Sequence, residues 1–140
     1  MNEVLNGAVV ADKPAGWTSH DVVNKVRRIF GTKKVGHLGT LDPPATGVLP
    51  LLINRATRLA QFFNAGQKEY EGVIRFGYAT TTYDADGEPL GEDRAPALTW
   101  EDVESVLKPF RGTFLQTPPP VSAKKIGGRP AYELARKKVE

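Results

Sequence analysis

The sequence predicts an α+β domain built on a mixed, mostly antiparallel sheet with flanking helices. Three observations carry this prediction. Apolar residues recur at helical spacing behind Thr or Ser caps near residues 18 and 99. Short apolar or alternating runs of period two lie between and after them. The two patterns alternate without the regular strand–helix–strand rhythm of a parallel sheet. At 140 residues the chain is long enough to bury a core as one domain.

Residues 7–12 read as a short buried strand closed by the turn Lys13-Pro14-Ala15-Gly16. Over 19–30, Val22, Val23, Val26, Ile29 and Phe30 share one helical face, with Lys25, Arg27 and Arg28 on the other side. Thr18 or Ser19 is the N-cap of this helix and Gly31 lies just past its end. A long loop follows, and residues 48–53 form an apolar run short enough for a buried strand. Pro50 argues that this strand is an edge or irregular. A second helix over 55–64 would bury Ala56, Leu59, Ala60 and Phe63. Residues 68–77 alternate, which places Tyr70, Ile74 and Phe76 inward and Glu69, Glu71 and Arg75 outward.

Residues 80–87 are turn-rich, and the acidic stretch through Arg94 reads as a surface excursion. Thr99 and Asp102 form a capping box, Trp100, Val103, Val106, Leu107 and Phe110 continue a helix, and Gly112 ends it. Residues 113–116 read as a strand, 117–120 as a rigid extended segment and 121–126 as another strand. Gly127-Gly128 is a tight turn, and Pro130 suits the first position of a last helix containing Tyr132, Leu134 and Ala135.

No apolar run approaches the roughly 20 residues that span a bilayer, and the N-terminus lacks a secretory layout, so the expected location is cytoplasmic. With no cysteine, and with His20 and His37 isolated, disulfides, thiolate chemistry and a structural metal cluster are not expected. The net charge of +3 is uneven. Residues 1–60 carry 8 basic and 4 acidic side chains, 61–110 carry 4 and 10, and 111–140 carry 7 and 2. Two readings stay open: a positive face suited to a polyanion where the basic ends meet, or ordinary solvated surfaces.

Residues 36–50, Gly-His-Leu-Gly-Thr-Leu-Asp-Pro-Pro-Ala-Thr-Gly-Val-Leu-Pro, hold a single acid, Asp42, among turn formers and apolar residues. Spacing leaves Asp42 as either an Asx turn former or a carboxylate held still for chemistry. The stretch lacks the Lys-Ser/Thr end of a P-loop and the three-glycine dinucleotide fingerprint. No Ser lies in a nucleophile elbow. A carboxylate pair would need Asp84 or Asp86, both in a turn. One carboxylate remains, able to act as a nucleophile or to stabilise a developing oxocarbenium ion.

Taken with Asp12-Lys13-Pro14-Ala15-Gly16-Trp17-Thr18-Ser19, Lys68-Glu69-Tyr70, Thr82-Tyr83-Asp84-Ala85-Asp86-Gly87 and the run from Gln116 through Lys124 to Tyr132, this loop identifies a resemblance. The chain resembles the bacterial tRNA pseudouridine synthases that isomerise uridine 55 in the T-loop. The resemblance covers essentially the whole chain. It implies a pseudouridine synthase-like catalytic domain, with two catalytic residues: Asp42, which attacks the nucleoside, and Tyr70, which packs on the flipped base and is a candidate for the C5 proton transfer. His37 is implied to help extrude the uridine, and Lys13 is the motif Lys near the catalytic loop, grouped with the substrate- and RNA-binding residues and given a structural role over a chemical one. Arg58 is implied as a phosphate contact, with Lys33, Lys34, Lys124, Lys125 and Arg129 adding nonspecific RNA affinity. The resemblance implies tRNA as partner, a monomer, no cofactor and no metal. It also implies that residues 1–140 are the N-terminal portion of the catalytic domain. A downstream Gly-Thr-Tyr-x-Arg motif and a C-terminal RNA-binding domain would lie outside this chain. A tRNA-binding fragment without catalysis and a guide-RNA-dependent relative are the alternatives.

Overall fold

A computed structural model describes residues 5–63, 66–94, 96–117 and 125–130. The chain divides into two units, Met1–Tyr70 and Glu71–Glu140. Among the described residues the strand pairings are antiparallel, in keeping with the expected α+β class.

In the first unit, β1 (Gly7–Lys13), β2 (Val35–His37) and β3 (Gly47–Ile53) form one sheet in the order β1-β3-β2. Helix α1 (Ser19–Ile29) begins where Thr18 and Asp21 close a capping box. The Thr18 hydroxyl accepts from Asp21 N at 3.1 Å, and the Asp21 carboxylate accepts from Thr18 N at 2.8 Å. Its Val22, Val23 and Val26 pack on Leu49, Leu51 and Ile53 of β3 and Val35 of β2. Each such side chain contributes roughly 1.5–3 kcal/mol on burial. This core runs along β3 from Leu49 to Ile53, and Leu41 of the Asp42 loop packs against it.

Three expectations for this unit are corrected. β3 is the central strand, not an edge, despite Pro50. The Pro50 carbonyl accepts from Leu38 N at 2.9 Å, so its missing N–H faces the same side. The β2 ladder ends one residue earlier, at the His37–Leu51 pair. β2 itself lies inside the expected loop, because the second edge of β3 needs partners for its backbone groups. In place of a helix over 55–64, a 3-10 helix covers Asn54–Leu59 and a short α2 covers Ala60–Phe63. The Thr57 hydroxyl donates to the Asn54 carbonyl at 2.8 Å and competes for the acceptor an α-helix would use. Leu59 and Phe63 are exposed, not buried.

In the second unit, β4 (Ala79–Thr80) and β5 (Pro89–Leu90) form a hairpin. Its turn is held by Asp84, whose carboxylate accepts from the Thr82 hydroxyl and from Asp86 N. Helix α3 (Trp100–Leu107) starts at the expected Thr99–Asp102 capping box, and Gly112 has φ +79° beyond it. β6 (Lys125–Ile126) and β7 (Arg129–Pro130) pair across the expected Gly127-Gly128 turn, whose φ values are +59° and +84°. Pro130 therefore lies in a strand, which the glycine turn folds back onto Lys125.

Neither 68–77 nor 113–116 is a strand. Alternation prepares a strand, but backbone hydrogen bonds to a neighbour make one, and no described strand pairs with either segment. Tyr70 does not point inward; it is 69 % exposed. The expected extended segment beyond Thr117, most of the strand at 121–126 and the last helix with Tyr132, Leu134 and Ala135 lie outside the described residues. No described helix is long and apolar enough to cross a membrane.

Candidate active-site loop and basic cleft

The loop carrying Asp42 is tied to the start of α1 by side chains distant in sequence. Lys13, the last residue of β1, is fully buried. Its Nζ donates to the carbonyls of Pro14 at 3.1 Å, Trp17 at 2.6 Å and Pro43 at 3.2 Å. Three acceptors match the three N–H groups of an ammonium. Gly16 N donates to the same Pro43 carbonyl at 2.8 Å. The buried Ser19 hydroxyl accepts from Leu41 N at 2.9 Å and lies 3.2 Å from the Leu41 carbonyl. Both residues flanking Asp42 are thus gripped through their backbones. Ala45 N closes a turn on the Asp42 carbonyl at 3.0 Å.

The Asp42 side chain itself is exposed. Its carboxylate makes no hydrogen bond or ion pair among the described residues, so the Asx-turn reading does not hold; the turn is made by its backbone. This arrangement fixes the main chain and leaves a carboxylate to solvent or substrate, which suits a nucleophile.

His37, half-buried at the end of β2, bonds through Nδ1 to the Gly39 carbonyl. A carbonyl only accepts, so Nδ1 is the donor in this bond. Gly39 has φ +144°, and a Cβ there would lie 3.4 Å from the Lys68 amine. Lys68 thus sits beside the loop, which no spacing signal revealed. Ser19 was legible only as a possible cap; its bond across 22 residues was not.

Lys33, Lys34 and Arg58 gather in a cleft of about 440 Å³ also lined by Arg27, Arg55, Asn54 and Gly36, the residue before His37. Tyr70 is exposed and has no hydrogen bond among the described residues. Lys124 lies outside the described residues, and the side chains of Lys125 and Arg129 are likewise not described. Among the described residues, no group of three His, Cys, Asp or Glu side chains could hold a metal ion.

Residues 27–140 match the family described as TruB family pseudouridylate synthase, N-terminal domain. The chain belongs to the TruB family. This TruB chain is 65 % identical over 133 residues to the tRNA pseudouridine synthase B of Solibacter usitatus (strain Ellin6076), covering 95 % of this chain and 45 % of that protein. It is 52 % identical over 136 residues to the protein of the same name from Mycobacterium tuberculosis (strain ATCC 25618 / H37Rv), covering 97 % and 46 %. The TruB chain thus spans about half the length of these curated relatives. A chain of a solved Cbf5-Nop10-Gar1 complex has a similar fold, with TM-score 0.54 and 31 % identity over 85 % of this chain and 31 % of that one.

Proposed function

We propose that this chain forms the Asp-bearing part of a tRNA pseudouridine synthase that converts uridine to pseudouridine in the T-loop. The observation that supports it most is the loop geometry: a backbone held on both sides of Asp42 by Lys13 and Ser19, with the carboxylate left open. An Asp42 oxygen bonds to C1′ of the uridine as the C1′–N1 bond breaks, and the electron pair leaves with the base. The base turns, C5 bonds to C1′, and the carboxylate is released. The proton on C5 is lost and N1 gains one, so the isomerisation balances without an oxidant or reductant.

The target base must first leave its stack, which costs a few kcal/mol. His37 fills the vacated place, and the exposed Tyr70 ring offers a face for the extruded base. Lys13 is a positioning residue, since its amine is spent on backbone carbonyls. The chain acts as a monomer on the T-arm, as the N-terminal portion of a catalytic domain.

Tritium release from tRNA labelled at C5 of uridine tests the reading. Asp42→Ala should abolish release while tRNA affinity stays within a few fold. Release that survives this substitution refutes the role of Asp42. The absence of a cationic partner for Asp42 among the described residues favours a second reading, T-arm binding without isomerisation. Filter binding with no release from the unsubstituted chain would support that one.

A further inference from the structure

We propose that the basic cleft is a phosphodiester site, in which Arg27 and Arg55 join Arg58, Lys33 and Lys34 to grip the RNA backbone at a distance from the reacting base. The inference rests on the tRNA reading above and adds a second point of attachment to it.

The cleft is built by three elements. Arg27 comes from the last turn of α1, Lys33 and Lys34 from the approach to β2, and Arg55 and Arg58 from the 3-10 helix after β3. Asn54 adopts a left-handed backbone, φ 54°, which turns the chain out of the sheet and sets that helix over the cleft. Asn is among the few residues that tolerate this conformation. Asn54 N donates to the Lys34 carbonyl at 2.8 Å, its side chain donates to the Leu5 carbonyl at 2.6 Å, and the Thr32 hydroxyl donates to it. The corner is therefore built and not a chance crowding of surface cations.

No Asp or Glu lines the cleft, and none of its cations forms an ion pair among the described residues. Gathered like charges repel, and a bound anion relieves the repulsion. Arg27 Nη1 donates to Asn24 at 3.1 Å, whereas its buried Nε has no partner. Its outer nitrogens carry the guanidinium fork that fits phosphate oxygens.

Position favours an extended ligand. The cleft takes Arg27 from the last turn of α1, whereas the Asp42 loop is tied through Leu41 to Ser19 at the start of that helix. Eight residues of helix separate these two points, roughly 12 Å. One small anion cannot touch both; a polynucleotide can.

The test measures the affinity of the full chain for tRNA between about 50 and 200 mM salt. Removing one cation–phosphate interaction lowers the slope of log affinity against log salt by about 0.7–0.9. Arg55→Gln and Arg27→Gln should each lower it by that amount and weaken binding several-fold. Lys25→Gln/Arg28→Gln, which removes two exposed cations of α1 outside the cleft, should leave it unchanged. Arg55 is exposed, so its variant decides even if Arg27→Gln melts early. An unchanged slope in Arg55→Gln, or an equal fall in the control, overturns the inference while leaving tRNA binding intact. Failure of the unsubstituted chain to bind tRNA overturns the functional reading and this inference together. Inorganic phosphate that binds the parent but not Arg55→Gln, with the tRNA slope unchanged, would make the cleft a free-anion site and overturn the RNA assignment.

Discussion

Replacing Lys13 by Met tests what holds the Asp42 loop in place. The substitution keeps a long stem in a fully buried position and removes the donor at its end. Of the three carbonyls it serves, that of Pro43 keeps the Gly16 N–H at 2.8 Å, whereas those of Pro14 and Trp17 lose the donor the structure gives them. A buried acceptor left unmade costs about 1–3 kcal/mol, and two of them beside exposed residues, where water enters, cost together about 2–3 kcal/mol. At about 4–8 °C per kcal/mol for a unit of this size, melting should fall by about 10–20 °C. Circular dichroism reads the melt, and amide exchange at Gly16 reads the loop. Protection at Gly16 should drop, because the Pro43 carbonyl loses its second tether. A melt within about 2 °C of the parent with unchanged Gly16 exchange would show that Lys13 does not anchor the loop.

Two further outcomes concern the same frame. Ser19→Ala leaves the Leu41 N–H without its 2.9 Å acceptor and should destabilise by about 1–3 kcal/mol, with the loss of exchange protection concentrated at Leu41; urea denaturation and exchange check it. The hydrogen bonds from Thr18, through its side chain and then its backbone, hold the Asp21 carboxyl below its usual 3.8. A lowered folded value means that the cap contributes fully above 3.8 and is lost as acid titrates through the folded value. Acid melting curves of Asp21→Asn should therefore lack that part of the decline, and a parallel decline in both proteins would contradict the assignment.

The parts of this chain legible in its sequence are those decided within a few residues. The caps of α1 and α3 are hydrogen bonds between neighbours three apart; the sequence offers Thr18 or Ser19 for the first and the Thr99–Asp102 pair for the second. The Gly127-Gly128 turn follows from φ values that only glycine adopts freely. The apolar runs that became β1 and β3, and the valine face of α1, follow from periodicity. The identity of the Asp42 loop was legible because its residues are a long ordered motif.

Tertiary structure decided what distant residues do to one another. Pro50 is central because β2 happens to stop beside it, and β2 exists because β3 offers it an edge. Tyr70 is exposed because alternation without a pairing strand buries nothing. Lys13 reaches Pro43 across 30 residues, and Ser19 reaches Leu41 across 22. Arg27 and Arg55 share a cleft only after Asn54 turns the chain. Local hydrogen bonds and periodic burial are written residue by residue, whereas a site is a coincidence of backbones that only closure of the chain brings about.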